Sequence, residues 1–172
     1  MGERIVILGN AGGGKSRLAR GLARRIEAPL IELDMLLWQP GWQRTPETEF
    51  RQQHDDLVAG PRGVVDGVAS WDSIQHRVAR CDTLVLVDLP LWQHYWWAAK
   101  RQFMCLFRER PDFVPGCPML PKTAALARMM WWLHRELRPQ FLKLVDRERS
   151  LRHVYWLRSA AQCEAFYARY CA

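Results

Sequence analysis

The segment from Gly9 to Ser16 holds the residues whose types and spacing most clearly suggest chemistry. It fits the pattern G-x-x-x-x-G-K-[ST] without a mismatch. Glycines let a backbone wrap around phosphate oxygens and turn its N–H groups toward them, and the helix that follows adds the positive end of its dipole. In such a loop the lysine, here Lys15, reaches the β- and γ-phosphates, while the Ser16 hydroxyl holds Mg²⁺. We therefore predict a site for Mg·ATP at Gly9, Asn10, Ala11, Gly12, Gly13, Gly14, Lys15, Ser16 and Arg17.

Four acidic residues lie at or near the ends of apolar stretches, at Glu32, Asp34, Asp66 and Asp88. Ligands of open parallel sheets bind outside the carboxyl ends of the strands, so these acids should face the same crevice as the phosphate loop. Asp66 could hold Mg²⁺ through water, and Asp34 could position or deprotonate an acceptor hydroxyl. Asp88 resembles a Walker B acid by pattern alone. The alternative is that each acid only caps the next helix or turn.

A basic segment follows the fourth apolar stretch and leads into prolines. Positioned arginines stabilise the negative charge that spreads over a phosphoryl group during transfer. We predict a lid-like insertion at about residues 100–123 that closes over the triphosphate, with three catalytic arginines at Arg101, Arg108 and Arg110. The alternative is a solvated basic face.

The elements that must position these residues follow from periodicity. Apolar runs rich in β-branched residues predict five strands, at residues 4–8, 29–34, 63–67, 83–88 and 153–157. Helical spacing predicts helices at residues 16–26, 47–58 (with Thr45 as N-cap), 71–80, 91–107, 124–144 (bent near Pro139) and 160–170. Strands that alternate with helices and are apolar on both faces predict a three-layer α/β/α sandwich around a parallel sheet, in a single domain at residues 1–172.

Composition limits the class of protein. The 172 residues are 49% hydrophobic and 25% charged, which suits one folded domain rather than a disordered chain. The five cysteines include no C-x-x-C pair, which argues against a disulfide framework or a zinc knuckle. No apolar run approaches the ~20 residues that span a bilayer, and no secretory signal precedes the first strand. We expect a cytoplasmic protein without a membrane partner.

Further segments strengthen the argument from the phosphate loop. They lie at residues 33–34 with 38–42, 65–67, 82–90, 111–118 and 156–159. Together with the loop they resemble the adenylate-kinase-like bacterial P-loop kinases, some of which carry the label DNA topology modulation protein. The resemblance covers nearly the whole chain. It implies the fold of nucleoside monophosphate kinases and shikimate kinase, with a five-stranded parallel sheet in the order 2-3-1-4-5.

The resemblance also implies roles for single residues. Asp66 and the glycine after it match an acid-glycine pair beside the phosphate-loop strand, which favours Asp66 over Asp88 as the magnesium acid. Asp34 matches the acid near the acceptor site of small-molecule kinases such as shikimate kinase. Arg101 is similar to the lid arginine at the adenine, and Arg158 to the loop that passes the base.

The chain departs from the family pattern after the acid-glycine pair. The group usually has Asn where this chain has Val68, so an acceptor contact from that position is in doubt. Adenylate kinases have a phenylalanine-proline-arginine run there, and this chain has Val68-Ala69-Ser70. The arginine that would hold the phosphate of AMP is therefore missing.

The sequence as a whole predicts a small kinase that transfers the γ-phosphoryl group of Mg·ATP to a nucleotide, a nucleoside or another small hydroxyl or phosphate acceptor. The formal net charge of +7 also suggests an ATP-binding regulator associated with nucleic acid. That partner is not favoured, because the basic residues spread over several helices and no helix-turn-helix or zinc module is present. A GTPase switch is disfavoured because no N-K-x-D motif occurs.

Overall fold

A five-stranded sheet forms the centre of the computed structural model, which describes residues 2–107 and 113–172. In chain order the strands are β1 (Arg4–Gly9), β2 (Leu30–Glu32), β3 (Trp38–Gln39), β4 (Gln43–Arg44), β5 (Gly63–Asp66), β6 (Thr83–Val87) and β7 (His153–Leu157). The sheet has the order β2-β5-β1-β6-β7, and its pairings are parallel. Strands β3 and β4 form a separate antiparallel hairpin. When the hairpin is left out of the numbering, the sheet order is the predicted 2-3-1-4-5.

Helices fill the connections between the strands. They are α1 (Lys15–Arg25), α2 (Leu33–Leu37), α3 (Glu47–Val58), α4 (Trp71–Arg80), α5 (Leu91–Met104), α6 (Thr123–Trp132), α7 (Arg138–Glu148) and α8 (Ala160–Tyr170). The predicted bounds of α3, α4 and α8 are confirmed. Ser70 and Ser159 explain two of these starts, because each hydroxyl accepts a backbone N–H of the first turn of its helix. None of the helices in residues 2–107 and 113–172 is long and apolar enough to cross a membrane.

The core lies on both faces of the sheet. Along β1, Ile5 and Ile7 point into a cluster with α1 and α8, while Val6 and Leu8 point into a second cluster with α4 and α7. A strand that is buried on both faces must be apolar at every position, which is why β1 shows no polar alternation. The predicted three-layer α/β/α class is therefore confirmed.

The chain after β2 differs from the prediction. The predicted strand at residues 29–34 ends at Glu32, because Leu33 already begins α2. Asp34 therefore lies in the first turn of this helix, where the helix dipole favours a carboxylate. Residues 38–44, for which no strand or helix was predicted, form the β3–β4 hairpin. Thr45 is not the N-cap of α3, since Pro46 occupies that position and the Thr45 N–H donates to the Leu37 carbonyl.

The long helices are also shorter than predicted. Helix α5 ends at Met104 rather than at residue 107. The predicted helix at 124–144 is divided into α6 and α7 by a π-helical turn at Leu133–Leu137. Pro139 lies in the first turn of α7, where its missing N–H does no harm, and the wide turn before it accommodates the break in the hydrogen-bond ladder.

The described part of the predicted insertion lies against the hairpin. The Gly41 N–H donates to the Gly116 carbonyl at 2.9 Å, and Trp42 Nε1 donates to the Pro118 carbonyl at 2.9 Å. The Phe113 ring lies 5.3 Å from that of Trp42. The hairpin and the insertion therefore support each other, while a lid function for residues 100–123 stays a prediction.

Candidate functional site

The phosphate loop connects β1 to α1 at the carboxyl edge of the sheet. Gly9, Gly12 and Gly14 have φ values of 140°, 72° and 80°, which residues with a side chain rarely adopt. A Cβ atom on Gly9 would lie 2.3 Å from the Val87 carbonyl oxygen, and one on Gly12 would lie 2.6 Å from that of His94. The loop therefore needs glycine at these positions. Helix α1 starts without a side-chain cap or an acidic residue in its first turn, so its N–H groups suit an anion.

Lys15 and Asn10 fix the shape of the loop. Lys15 Nζ donates to the Asn10 carbonyl oxygen at 3.0 Å, so the ammonium group lies across the loop. Asn10 Nδ2 donates to the Met130 carbonyl at 2.8 Å, and Asn10 Oδ1 accepts the Ala11 N–H at 2.8 Å. The loop is thus tied to α6, and Lys15 holds a carbonyl oxygen that a phosphate oxygen could replace.

Ser16 and Asp66 meet beside the loop. The register of β1 and β5 pairs Ile7 with Asp66, and Ser16 Oγ donates to Asp66 Oδ2 at 2.6 Å. The other carboxylate oxygen, Oδ1, is buried and has no hydrogen-bond partner among the described residues. Hydroxyl and carboxylate oxygens are the ligands that Mg²⁺ prefers, so the donor set fits this metal. The structure therefore brings Ser16 and Asp66 together beside the phosphate loop, and their role in holding a metal stays a prediction.

Arg77 is buried near Asp66 and was not among the residues predicted for the site. The residue is 1% exposed, donates through Nη2 to the Gly67 carbonyl at 2.7 Å and through Nη1 to Ser73 Oγ at 2.9 Å. Burial lowers the pKa of Arg77 to about 9, and the charge of Asp66 opposes that shift. The guanidinium group thus stays charged at neutral pH beside Asp66. The available signal was its position on the apolar face of α4, three residues after Ile74.

His94 is a second residue that sequence reasoning missed. It lies on the buried side of α5, where Nδ1 is 3.0 Å from the Ala11 carbonyl oxygen, and a Cβ atom on Gly13 would lie 2.8 Å from its Cε1. Burial first, and then the charge of Lys15, lower the pKa of His94 to about 4. The imidazole is therefore neutral at pH 7 and donates to the loop. No local signal distinguishes it from the other histidines.

Asp88 has a structural role in this arrangement. Its carboxylate accepts hydrogen bonds from Arg138 Nε at 2.6 Å, from Arg138 Nη2 at 3.0 Å and from Trp156 Nε1 at 3.0 Å. These contacts join the end of β6 to α7 and β7. The preference for Asp66 over Asp88 as the magnesium acid agrees with this geometry, because both Asp88 oxygens already have partners.

The acceptor contact predicted for Asp34 falls in the region of α2 and the β3–β4 hairpin. Asp34 is exposed on α2, directly after β2, at the same edge of the sheet as the loop. Glu32 accepts a hydrogen bond from Arg20 of α1 at 2.9 Å. The Trp38 and Trp42 rings meet edge to face at 5.4 Å, close to the residues that follow Asp34. This region therefore holds an exposed acid and two indole rings, and its role as an acceptor site stays a prediction.

The arginines predicted for the nucleotide site lie on several different elements. Arg17 pairs with Glu164 of α8 and lies 4.2 Å over the Tyr167 ring. Arg158 follows β7, with its guanidinium group 5.0 Å from the Trp156 ring. Arg101 is half-buried in the last turn of α5. Arg108 and Arg110 lie outside the described residues. Roles of these side chains at a nucleotide stay predictions.

Comparison with known proteins gives one consistent result. No protein-family model matches the chain, and no curated protein sequence matches it. Among solved structures, shikimate kinase from Acinetobacter baumannii in complex with shikimate is 14% identical over 97% of this chain and 90% of that chain, with a TM-score of 0.61. Shikimate kinase from Bacteroides thetaiotaomicron is 16% identical over 97% and 95%, with a TM-score of 0.57. A sugar kinase from Janibacter sp. is 14% identical over 98% and 92%, with a TM-score of 0.51.

The chain has the fold of small P-loop kinases. Identities this low establish the fold and not the substrate. The narrower resemblance to the adenylate-kinase-like bacterial group stays a prediction.

Proposed function

We propose that the chain is a phosphotransferase, which moves the γ-phosphoryl group of Mg·ATP to a hydroxyl or phosphate group of a small acceptor. The observation that carries this proposal is the contact of Ser16 Oγ with Asp66 Oδ2 beside a complete phosphate loop. A loop alone would support binding of a triphosphate. The buried acid next to its serine adds a place for the metal, and phosphoryl transfer depends mainly on positioning and charge neutralisation.

The roles of the loop residues follow from their positions. Lys15 exchanges the Asn10 carbonyl for oxygens of the β- and γ-phosphates, and the loop N–H groups bind the same phosphates. Ser16 and Asp66 hold Mg²⁺, Asp66 through water. The metal, when bound, neutralises the charge of the phosphates. Neutral His94 keeps the loop curved through the Ala11 carbonyl.

The acceptor and lid roles extend this proposal. Asp34 orients or deprotonates the acceptor hydroxyl, and Arg101 closes over the nucleotide together with Arg108 and Arg110. Arg158 lies beside the base. The structural neighbours are named as kinases of shikimate and of a sugar, so small hydroxylated metabolites join nucleotides and nucleosides as candidate acceptors.

The deciding experiment measures ADP release from Mg·ATP against a panel of nucleoside monophosphates, nucleosides and small metabolite alcohols. Lys15→Ala is the inactive variant, and Lys143→Ala, on the exposed side of α7, is the matched control. An acceptor-dependent rate that Lys15→Ala loses and Lys143→Ala keeps would establish the kinase and its substrate class. A slow rate that no acceptor increases would contradict the proposal and the role of Asp34.

The second candidate is an ATP-binding regulator associated with nucleic acid, which the net charge of +7 favours. DNA affinity that falls steeply with salt and responds to ATP would support it, because each phosphate contact releases counterions. Weak DNA binding that ignores the nucleotide would eliminate it.

A further inference from the structure

Helix α5 carries an exposed aromatic stripe on the side that faces away from the core. Trp92, Trp96 and Phe103 on the helix, and Phe107 in the turn after it, are each more than half exposed. Their spacings of four, seven and four residues place them on one side of a helix. The opposite side of α5 is buried and includes His94, which contacts the phosphate loop.

Helix α6 lies next to α5 and carries further exposed aromatic side chains. It packs along α5, since Tyr95 Oη donates to the Ala127 carbonyl and Gln102 Nε2 donates to Thr123 Oγ1, both at 3.1 Å. Its own exposed side carries two more indoles that are each more than half exposed. We call the six side chains the aromatic face: Trp92, Trp96, Phe103, Phe107, Trp131 and Trp132.

The aromatic face is large for a single folded chain. Aromatic side chains expose on the order of 200 Å² when free, so six that are about half exposed leave on the order of 600 Å² in contact with water. The largest apolar patch of a typical monomer is about 300–600 Å², and patches of this size usually mark an interaction site.

Cations outnumber anions among the described residues around the aromatic face. The described residues at 89–107 and 113–135 include no Asp or Glu, and Glu109 and Asp112 fall in the gap between these ranges. The same two ranges contain five Lys and Arg residues, of which Lys100 and Arg128 are exposed on α5 and α6. Glu136 follows the second range and lies 3.7 Å from Arg135.

We propose that the aromatic face docks on the surface of an anionic phospholipid bilayer. Indole rings favour the boundary between headgroups and acyl chains, and lysine or arginine beside them binds anionic headgroups. Surface docking needs no spanning helix, so it is compatible with the lengths of α5 and α6. It differs from the expectation of no membrane partner, which rested on the absence of a spanning run.

Two other occupants fit the observations less well. A second copy of the chain, paired face to face, would bring the exposed cations of α5 and α6 against each other, with few anions among the described residues to balance them. Single-stranded nucleic acid is usually bound in a basic groove that follows its backbone. Here apolar side chains outnumber the cations and include the exposed aliphatic Met104 and Leu106.

Vesicle flotation tests the proposal and does not depend on the proposed kinase activity. The full chain is floated with phosphatidylcholine vesicles that contain about one-third phosphatidylglycerol, and with phosphatidylcholine alone. The variants are the double substitution Trp92→Ser with Trp96→Ser, and Lys100→Gln. The matched control is Leu151→Ser, which removes a side chain of equal exposure from the turn before β7. Thermal unfolding checks that each variant is folded.

We expect the chain to float with the anionic vesicles only, and a smaller fraction of it to float in high salt. The double substitution should lower the partition coefficient at least tenfold and Lys100→Gln about fivefold, as for the loss of one cation near an anionic surface. Leu151→Ser should change nothing. Absence of flotation, or flotation that neither variant reduces, would overturn the proposal. If the chain does not float but self-associates, and the double substitution removes this, the face belongs to a second copy instead. If it does not float but binds an oligonucleotide, and the double substitution removes this, the face belongs to nucleic acid.

Discussion

Asp66 is the buried acid of the candidate site, and its charge must be compensated by neighbouring groups. One of its oxygens accepts from Ser16, the other is buried without a partner among the described residues, and Arg77 lies beneath the turn that follows. A buried carboxylate of this kind is stable only when its charge is compensated. Arg77 supplies that compensation from the protein, and a metal would add to it from the loop side.

The first residue-scale prediction concerns metal binding. Asp66→Asn keeps the size of the side chain and removes its charge, so the requirement for Mg²⁺ should rise and phosphoryl transfer should fall about 10–100-fold, as for other groups that hold a metal through water. The measurement is kcat/KM against Mg²⁺ concentration. Asp72→Asn, an exposed acid on α4, is the control. Equal Mg²⁺ dependence in both variants would remove Asp66 from the metal site.

The second residue-scale prediction concerns stability. Arg77→Met removes the buried cation and leaves Asp66 and the Gly67 carbonyl uncompensated, so the free energy of unfolding should fall by about 3–5 kcal/mol. Urea unfolding measures it. Arg80→Met, three residues later on the exposed side of α4, should cost less than about 1 kcal/mol. Similar losses in the two variants would contradict the assigned role.

At the scale of elements, α5 contacts the phosphate loop, while α2 and the hairpin carry the residues predicted for the acceptor side. The link between α5 and the loop is the bond from His94 to the Ala11 carbonyl. The link between the hairpin and the insertion is the contact of Trp42 with Pro118 and Phe113. A few side chains therefore connect α5 to the phosphate loop and the hairpin to the insertion.

The element-scale prediction uses the titration of His94. Its folded pKa of about 4 lies below the ordinary value of 6.5, so the unfolded chain binds the extra proton between these values. The stabilisation that neutral His94 contributes is fully present above pH 6.5. The free energy of unfolding then falls by about 3 kcal/mol as pH drops toward 4. Urea unfolding against pH measures it. His94→Gln, which still donates to the Ala11 carbonyl, should flatten this part of the profile. An unchanged slope would show that other groups titrate there.

At the scale of the whole molecule, ligand binding should stabilise the native state. Mg·ATP at about 100 times its dissociation constant adds about 2.7 kcal/mol, which raises the Tm of a chain of this size by about 5–10 °C. Differential scanning fluorimetry measures the shift. Lys15→Ala should abolish most of it, whereas Lys143→Ala should keep it. A full shift in Lys15→Ala would place the nucleotide elsewhere.

The sequence by itself determined the phosphate loop, the five parallel strands and the bounds of α3, α4 and α8. These features depend on local information, because glycine spacing fixes backbone conformation and the period of apolar residues fixes the type of element. The resemblance to P-loop kinases also favoured Asp66 over Asp88 as the magnesium acid, a role that stays a prediction. Asp34 lies in α2 and not in the strand predicted for residues 29–34, and its role at the acceptor stays a prediction.

Only the tertiary structure decided which polar groups meet. Asp66 lies 50 residues from Ser16 and meets it through the register of β1 with β5. Arg77, His94 and Asp88 received their roles from burial and from partners on other elements. Such contacts depend on how layers pack across the sheet. The local sequence places Arg77 on the apolar face of α4 but does not show which groups it meets, and it gives no signal for His94. The same packing turned the aromatic side chains of α5 and α6 outward, because the opposite side of α5 is occupied by its contact with the phosphate loop.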